Sequence, residues 1–285
     1  MAEAEQLHNP TLNGTADAIP NLREVPAPAR HVKPMSAIES YGRMLLGLTW
    51  MGLCVVFFCT LMLFFLPFRQ VRIRISNLFG SVAGGGCAYL SGSKLNYDAE
   101  NVKAARAERP AIYVSNHTSI LDIMLGIWFS PYGTVGVGKK EVIFYPFFGQ
   151  LFALAGHLRI DRSNREKAIA GMKSLEPFVK KNNLSTFMWP EGHRSRDGRL
   201  RPFKKGVAHL AIACKLPIVP MVVRGAQHAW ESRQLRLAKT EIDIEFLPAV
   251  DTSEWKTETI DQHLKDLEQV FIDALPPEQR PLPEA

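Results

Sequence analysis

Asn116-His117-Thr118-Ser119-Ile120-Leu121-Asp122 sets an imidazole five positions ahead of a carboxylate. A carboxylate on one ring nitrogen fixes the tautomer and leaves the other nitrogen free to take a proton, which is the arrangement of a general base. The pair alone also fits a surface histidine beside an aspartate that favours a helix start. A second candidate is Pro190-Glu191-Gly192-His193-Arg194-Ser195. Pro and Gly make a tight loop there, and Arg194 offers a planar fork suited to a phosphate monoester. A solvated basic loop is the plainer alternative, since Arg196, Arg199, Arg201, Lys204 and Lys205 crowd the same region. Arg162, in Ile160-Asp161-Arg162, could face the same ligand or form a surface pair of little consequence. His117, His157 and His193 with Asp122 could be drawn around a metal, but nothing in their spacing requires one. Gly133 to Lys140 nearly fits a phosphate-binding loop, yet Lys140 stands where a magnesium-binding Ser or Thr is needed. No G-x-S-x-G nucleophile elbow occurs.

These groups need a scaffold. Strand candidates are Ala111–Ser115, Thr134–Val137, His157–Ile160, Leu184–Trp189, Ile218–Val223 and Glu241–Phe246. Helices fall between them: an apolar one starting near Ser119, one over Asn164–Lys180 with a capping box at Ser163 and Glu166, and an amphipathic closing helix over Thr257–Ala274. Alternation of this kind predicts an α/β fold, a mixed and mostly parallel sheet flanked by helices. Sites in such sheets lie at the carboxyl ends of strands, where His117 is placed.

The 285 residues carry a formal charge of +6, unevenly spread. From Asp251 onward three basic residues face nine acids, so the first 250 residues carry about +12. Such a balance suits an anionic ligand: a phosphorylated metabolite, an acidic lipid surface or nucleic acid. Nucleic acid is the weakest of these, because few aromatics are placed for stacking. Cys54, Cys59, Cys87 and Cys214 form no C-x-x-C pair and read as small buried thiols.

Residues 1–35 are polar and proline-punctuated, a flexible tail. Ser36 and Glu39 then form a capping box that leads into Met44–Leu66, an uncharged run of about 23 residues. At ~1.5 Å per residue it reaches about 34 Å, enough to cross a bilayer's hydrocarbon core. The glycine-rich apolar stretch Ile75 to Leu90 could pair with it as a hairpin lying in one leaflet. The expected division is a tail (1–35), a membrane-associated helical segment (36–92), a catalytic domain (93–275) and a short second tail (276–285).

Four segments in order resemble the 1-acyl-sn-glycerol-3-phosphate acyltransferase family. Asn116-His117 with Asp122 is similar to its H-x4-D block. Lys139-Lys140-Glu141 through Pro146-Phe147-Phe148-Gly149, with Ile160-Asp161-Arg162, resembles its second block. Pro190 to Ser195 with Phe203-Lys204-Lys205-Gly206 resembles the third, and Leu216-Pro217-Ile218-Val219-Pro220 the fourth. The third block usually has Thr where this chain has His193, a departure that bears on the acceptor headgroup. The resemblance implies that His117 is a general base on the sn-2 hydroxyl of a lysophosphatidate and that Asp122 orients it. It implies that Arg194, helped by Glu191, Gly192, His193, Ser195 and Arg162, places the acceptor phosphate. The donor would be an acyl thioester, on CoA or on acyl-carrier protein, with no further cofactor and no metal. Backbone N–H groups near Ser119 are candidates for stabilising the oxyanion. The setting implied is a phospholipid membrane, bacterial inner membrane or endoplasmic reticulum, with the catalytic domain facing the cytosol.

Overall fold

The computed structural model describes residues 32–146, 148–161, 165–231 and 235–282. In chain order the strands are β1 (Lys33–Pro34), β2 (Lys94–Tyr97), β3 (Ile112–Ser115), β4 (Thr134–Lys139), β5 (Leu158–Ile160), β6 (Ser185–Met188), β7 (Ile218–Arg224), β8 (Ala238–Lys239) and β9 (Glu241–Phe246). The helices are α1 (Ala37–Leu63), α2 (Arg69–Phe79), α3 (Gly85–Leu90), α4 (Ala99–Ala107), α5 (Leu121–Phe129), α6 (Phe148–Ala155), α7 (Arg165–Lys181), α8 (Gly206–Cys214), α9 (Ala226–Ala229) and α10 (Ile260–Ala274). Seven strands form one sheet in the order β2-β9-β7-β3-β6-β4-β5. Only β9 runs antiparallel to its neighbour β7 among these pairings, so the mixed, mostly parallel sheet expected from the alternation is present.

The central strands β3, β6 and β7 are buried at every position, as parallel strands covered on both faces are. One side of the sheet packs on α7, α8 and α10 through residues such as Leu175, Leu210 and Phe271. The other side packs on α4 and α5 through Val102, Leu125 and Phe129. Thr134 to Lys139, whose glycines look like a phosphate loop in sequence, is a strand. At Gly136 a Cβ would approach the Phe152 ring to 3.1 Å, a tight contact.

A third apolar cluster joins α1 to the domain: Phe58 and Met62 meet Phe79, Leu151 and Ala155. The start of α1 is capped by Ser36, which accepts the Glu39 N–H at 3.1 Å. A π-helical turn, Gly80–Gly84, bridges α2 and α3, so residues 69–90 form a nearly continuous helical return against α1. That helix is the partner expected for the apolar run.

Three sequence expectations need correction. Lys33 and Pro34, placed in the tail, pair with β8. Strand β2 was not anticipated; it is a short edge strand whose residues are half exposed. Residues 276–282 are no loose tail, since Gln279 is fully buried. The capping box at Ser163 lies outside the described residues, as do residues 1–31.

Candidate active site

Strand β3 delivers Asn116 and His117 at its carboxyl end. Asn116 is fully buried, donating Nδ2 to the Val223 carbonyl and accepting the Val223 N–H, both at 2.8 Å. This clamps the loop to the adjacent strand, so the next residue has a fixed exit. Asp122, in the first turn of α5, is fully buried. Its Oδ2 accepts the Thr118 and Ser119 N–H groups at 2.5 and 2.6 Å and lies 3.4 Å from His117 Nδ1. The His–Asp pairing read from the spacing is therefore formed, with a contact longer than an ordinary N–H···O bond. Catalytic hydrogen bonds are often long before substrate arrives and tighten on binding. The N–H groups near Ser119 point at this carboxylate, which overturns their reading as oxyanion donors.

The backbone of His117 is held at both ends by the second loop. Glu191 Oε1 accepts the His117 N–H at 2.5 Å, and Ser195 N–H donates to the His117 carbonyl at 2.7 Å. Glu191 Oε2 accepts the Arg201 N–H at 3.1 Å. Glu191 and Ser195 are both fully buried. Burial pushes the Glu191 carboxyl up from 4.5 to about 8, against the pull of its two N–H donors. Their role in the structure is thus to hold the His117 peptide, not to offer a free group to a ligand. Ser195 Oγ is likewise engaged, donating to Asp197 at 2.7 Å. Gly192 makes the turn with φ +79°, a left-handed value that favours glycine. Arg194 is half-buried on this loop and His193 is exposed. Arg162 lies outside the described residues.

Trp189 was not singled out from sequence, although it directly precedes Pro190. Its ring lies 5.0 Å from the His117 ring at an interplanar angle of 30°, covering one face of the imidazole. Beside this pair opens a cavity of about 380 Å³. Leu48 and Met51 of α1, Phe79 of α2, Ile127 of α5 and Phe152 of α6 are among its walls, so the N-terminal helices and the helices that flank the sheet build it jointly. His157 is half-buried in the same wall. Its Nδ1 accepts the Gly136 N–H and its Nε2 faces Ser76 Oγ, each at 3.1 Å. Burial, with Arg69 nearby, pushes His157 down to about 4, so it is neutral near pH 7 and its polar atoms are committed to the wall. A second cavity of about 640 Å³ lies beyond Trp189 and Gly192, lined in part by His193, Lys204, Lys205 and His209 and by no residue of α1–α3.

His117 thus stands against a buried carboxylate and opens onto an apolar chamber at the carboxyl end of the sheet, with a basic loop alongside. Residues 96–224 match the Acyltransferase family. The chain is 43% identical over 222 residues to a 1-acyl-sn-glycerol-3-phosphate acyltransferase of Limnanthes douglasii, covering 78% of each chain. It is 41% identical over 145 residues to the enzyme of that name from Salmonella typhimurium, covering 51% of this chain and 58% of that one. The crystal structure of the 1-acyl-sn-glycerophosphate acyltransferase PlsC from Thermotoga maritima shares the fold, with a TM-score of 0.55 and 22% identity over 80% of this chain and 94% of that one. The chain belongs to the 1-acyl-sn-glycerol-3-phosphate acyltransferase family.

Proposed function

We propose that the protein transfers a fatty acyl group from a thioester to the sn-2 hydroxyl of 1-acyl-glycerol-3-phosphate, giving phosphatidate. The observation that carries this is His117, set against buried Asp122 at the wall of a chamber built jointly by anchor helices and catalytic domain. The acceptor hydroxyl gives its proton to His117 Nε2 as its oxygen attacks the thioester carbonyl. The ester C–O bond forms, the C–S bond breaks, and the imidazolium returns the proton to the departing thiolate. Asp122 holds the Nδ1 proton and balances the charge that develops on the ring. The hydroxyl is itself the nucleophile, so no acyl-enzyme is required. Arg194 and the basic residues around it meet the acceptor phosphate, and the acyl-CoA or acyl-carrier-protein donor is a co-substrate.

The membrane is the source of the acceptor. Helix α1 spans about 40 Å at ~1.5 Å per residue, and it is long and apolar enough to cross a bilayer. Yet both its ends are fastened to the catalytic domain. Near its start Ser40 Oγ accepts the Leu237 N–H at 2.8 Å, and Glu39 pairs with Lys239 at 2.7 Å. Beyond its end, Arg72 of α2 donates to the Phe65 and Leu154 carbonyls. The outward face carries Leu45, Leu53, Val56 and Phe57, all exposed. A helix tied down at both ends with an apolar outer face supports an anchor lying in one leaflet.

The test is purified protein assayed for thiol release and phosphatidate formation with acyl-CoA and a panel of lysolipids. Release that depends on lysophosphatidate supports the reading. Acyl transfer to a neutral lysolipid in preference to lysophosphatidate would replace it.

A further inference from the structure

The last described residues are held more firmly than their sequence suggests. Pro277–Gln279 form a 3-10 turn against the carboxyl end of β7, with Gln279 fully buried. The Gln279 Oε1 accepts the Gly225 N–H at 3.1 Å, and its Nε2 donates to the Val223 carbonyl at 3.3 Å. Asn116 donates to that same carbonyl. One carbonyl oxygen therefore joins the end of the chain to the residue that precedes His117.

A second connection runs through the basic loop. The Gln279 carbonyl accepts the Leu200 N–H at 2.8 Å. The Arg199 guanidinium donates to the Pro277 and Arg280 carbonyls at 3.2 and 2.9 Å. Arg201, directly after Leu200, donates its N–H to Glu191, whose other oxygen holds His117. A buried side-chain amide makes both of its bonds in only one orientation. An apolar residue at 279 would leave the Gly225 N–H without an acceptor.

We propose that Pro276–Arg280 is a strap that positions the arm Arg194–Arg201, and that Gln279 is a positioning residue for use of the acceptor phosphate. This rests on the reading above, in which that arm meets the phosphate. The strap acts on the arm before it acts on the base: it grips Arg199 and Leu200 directly. His117 keeps its bonds to Glu191 and Asp122, which lie outside the arm. Loosening the strap therefore raises the acceptor KM and leaves the donor KM and kcat nearly as they were.

The experiment compares three full assays in detergent–phospholipid micelles: wild type, Gln279→Met, and a chain ending at Leu275. Met keeps the length of the side chain and removes both bonds. Net loss of a hydrogen bond or two at ~1 kcal/mol each corresponds to roughly a five- to thirtyfold change. Gln279→Met is expected to raise the lysophosphatidate KM by about five- to tenfold, with donor KM and kcat within about twofold. The shortened chain should show the same split, only larger. Equal losses in both KM values and kcat, following a fall in melting temperature, would assign the segment to general stability and overturn the proposal. So would unchanged kinetics in both variants. If the wild type itself does not acylate lysophosphatidate, the functional reading fails along with the strap's role, and the wild-type arm alone reveals it.

Discussion

Asp122→Asn separates charge from geometry at His117, the proposed base. Asp122 Oδ2 takes two short backbone N–H bonds besides its contact with His117. Among the described residues, Oδ1 is buried without a partner. An asparagine amide must therefore put its oxygen where Oδ2 stands, because an NH2 group there would face two N–H donors. The turn from Thr118 to Asp122 survives, and what disappears is the negative charge 3.4 Å from Nδ1. Two unit charges at that distance interact by about 5 kcal/mol at an effective dielectric near 20. The amide dipole recovers part of this, so kcat should fall by roughly 10²- to 10³-fold. The orphaned NH2 in the buried Oδ1 position should also cost about 1–3 kcal/mol of stability. Rates must accordingly be read well below the variant's melting temperature. The assay is thiol release at saturating lysophosphatidate and acyl-CoA, with circular dichroism as the folding control. His117→Ala, run beside it, should lose at least ~10²-fold. A folded Asp122→Asn protein within threefold of wild type would refute the argument that this carboxylate supports charge on His117.

Glu191 gives a stability test with a defined sign. Its carboxyl is pushed from 4.5 to about 8 in the fold, so the folded chain keeps a proton that the unfolded chain releases. This group's contribution to stability is therefore lost as pH rises from about 5 to 8, and Glu191→Gln should flatten the fall in melting temperature across that window. An unaltered pH slope would show that the carboxyl is ionised in the fold. Arg194→Lys keeps the charge and loses the fork, so lysophosphatidate KM should rise while donor KM holds; His193→Thr should keep turnover and shift acceptor preference, measured on the same lysolipid panel. The anchor should resist high salt and alkaline carbonate and yield only to detergent, because its outer face is apolar. Release by salt alone would contradict it.

The parts of the site that were legible in the sequence are those whose partners lie nearby along the chain. His117 and Asp122 meet because strand, loop and helix follow one another within a few residues, and each carries its own local signal. The same holds for β3 and β7, whose mainly apolar runs announce strands covered on both faces. Glu191 shows where such reading stops. Its Pro–Gly loop and basic neighbours suggest a ligand contact, yet the fold places its carboxylate under the His117 peptide from 74 positions away. Nothing local distinguishes a glutamate that binds substrate from one that ties down a backbone. Strand β2 and the Pro277–Gln279 turn fail for a related reason. They are short and polar, and they exist because β9 and the loop at Leu200 offer them backbone partners. The basic loop thus has two edges of different kinds. Glu191 and Ser195 fasten it to the His117 backbone from within, while Arg199 and Leu200 fasten it to Pro277–Arg280 from without. Arg194 lies between two fixed points, which is what a single guanidinium needs if it is to meet a phosphate in one orientation.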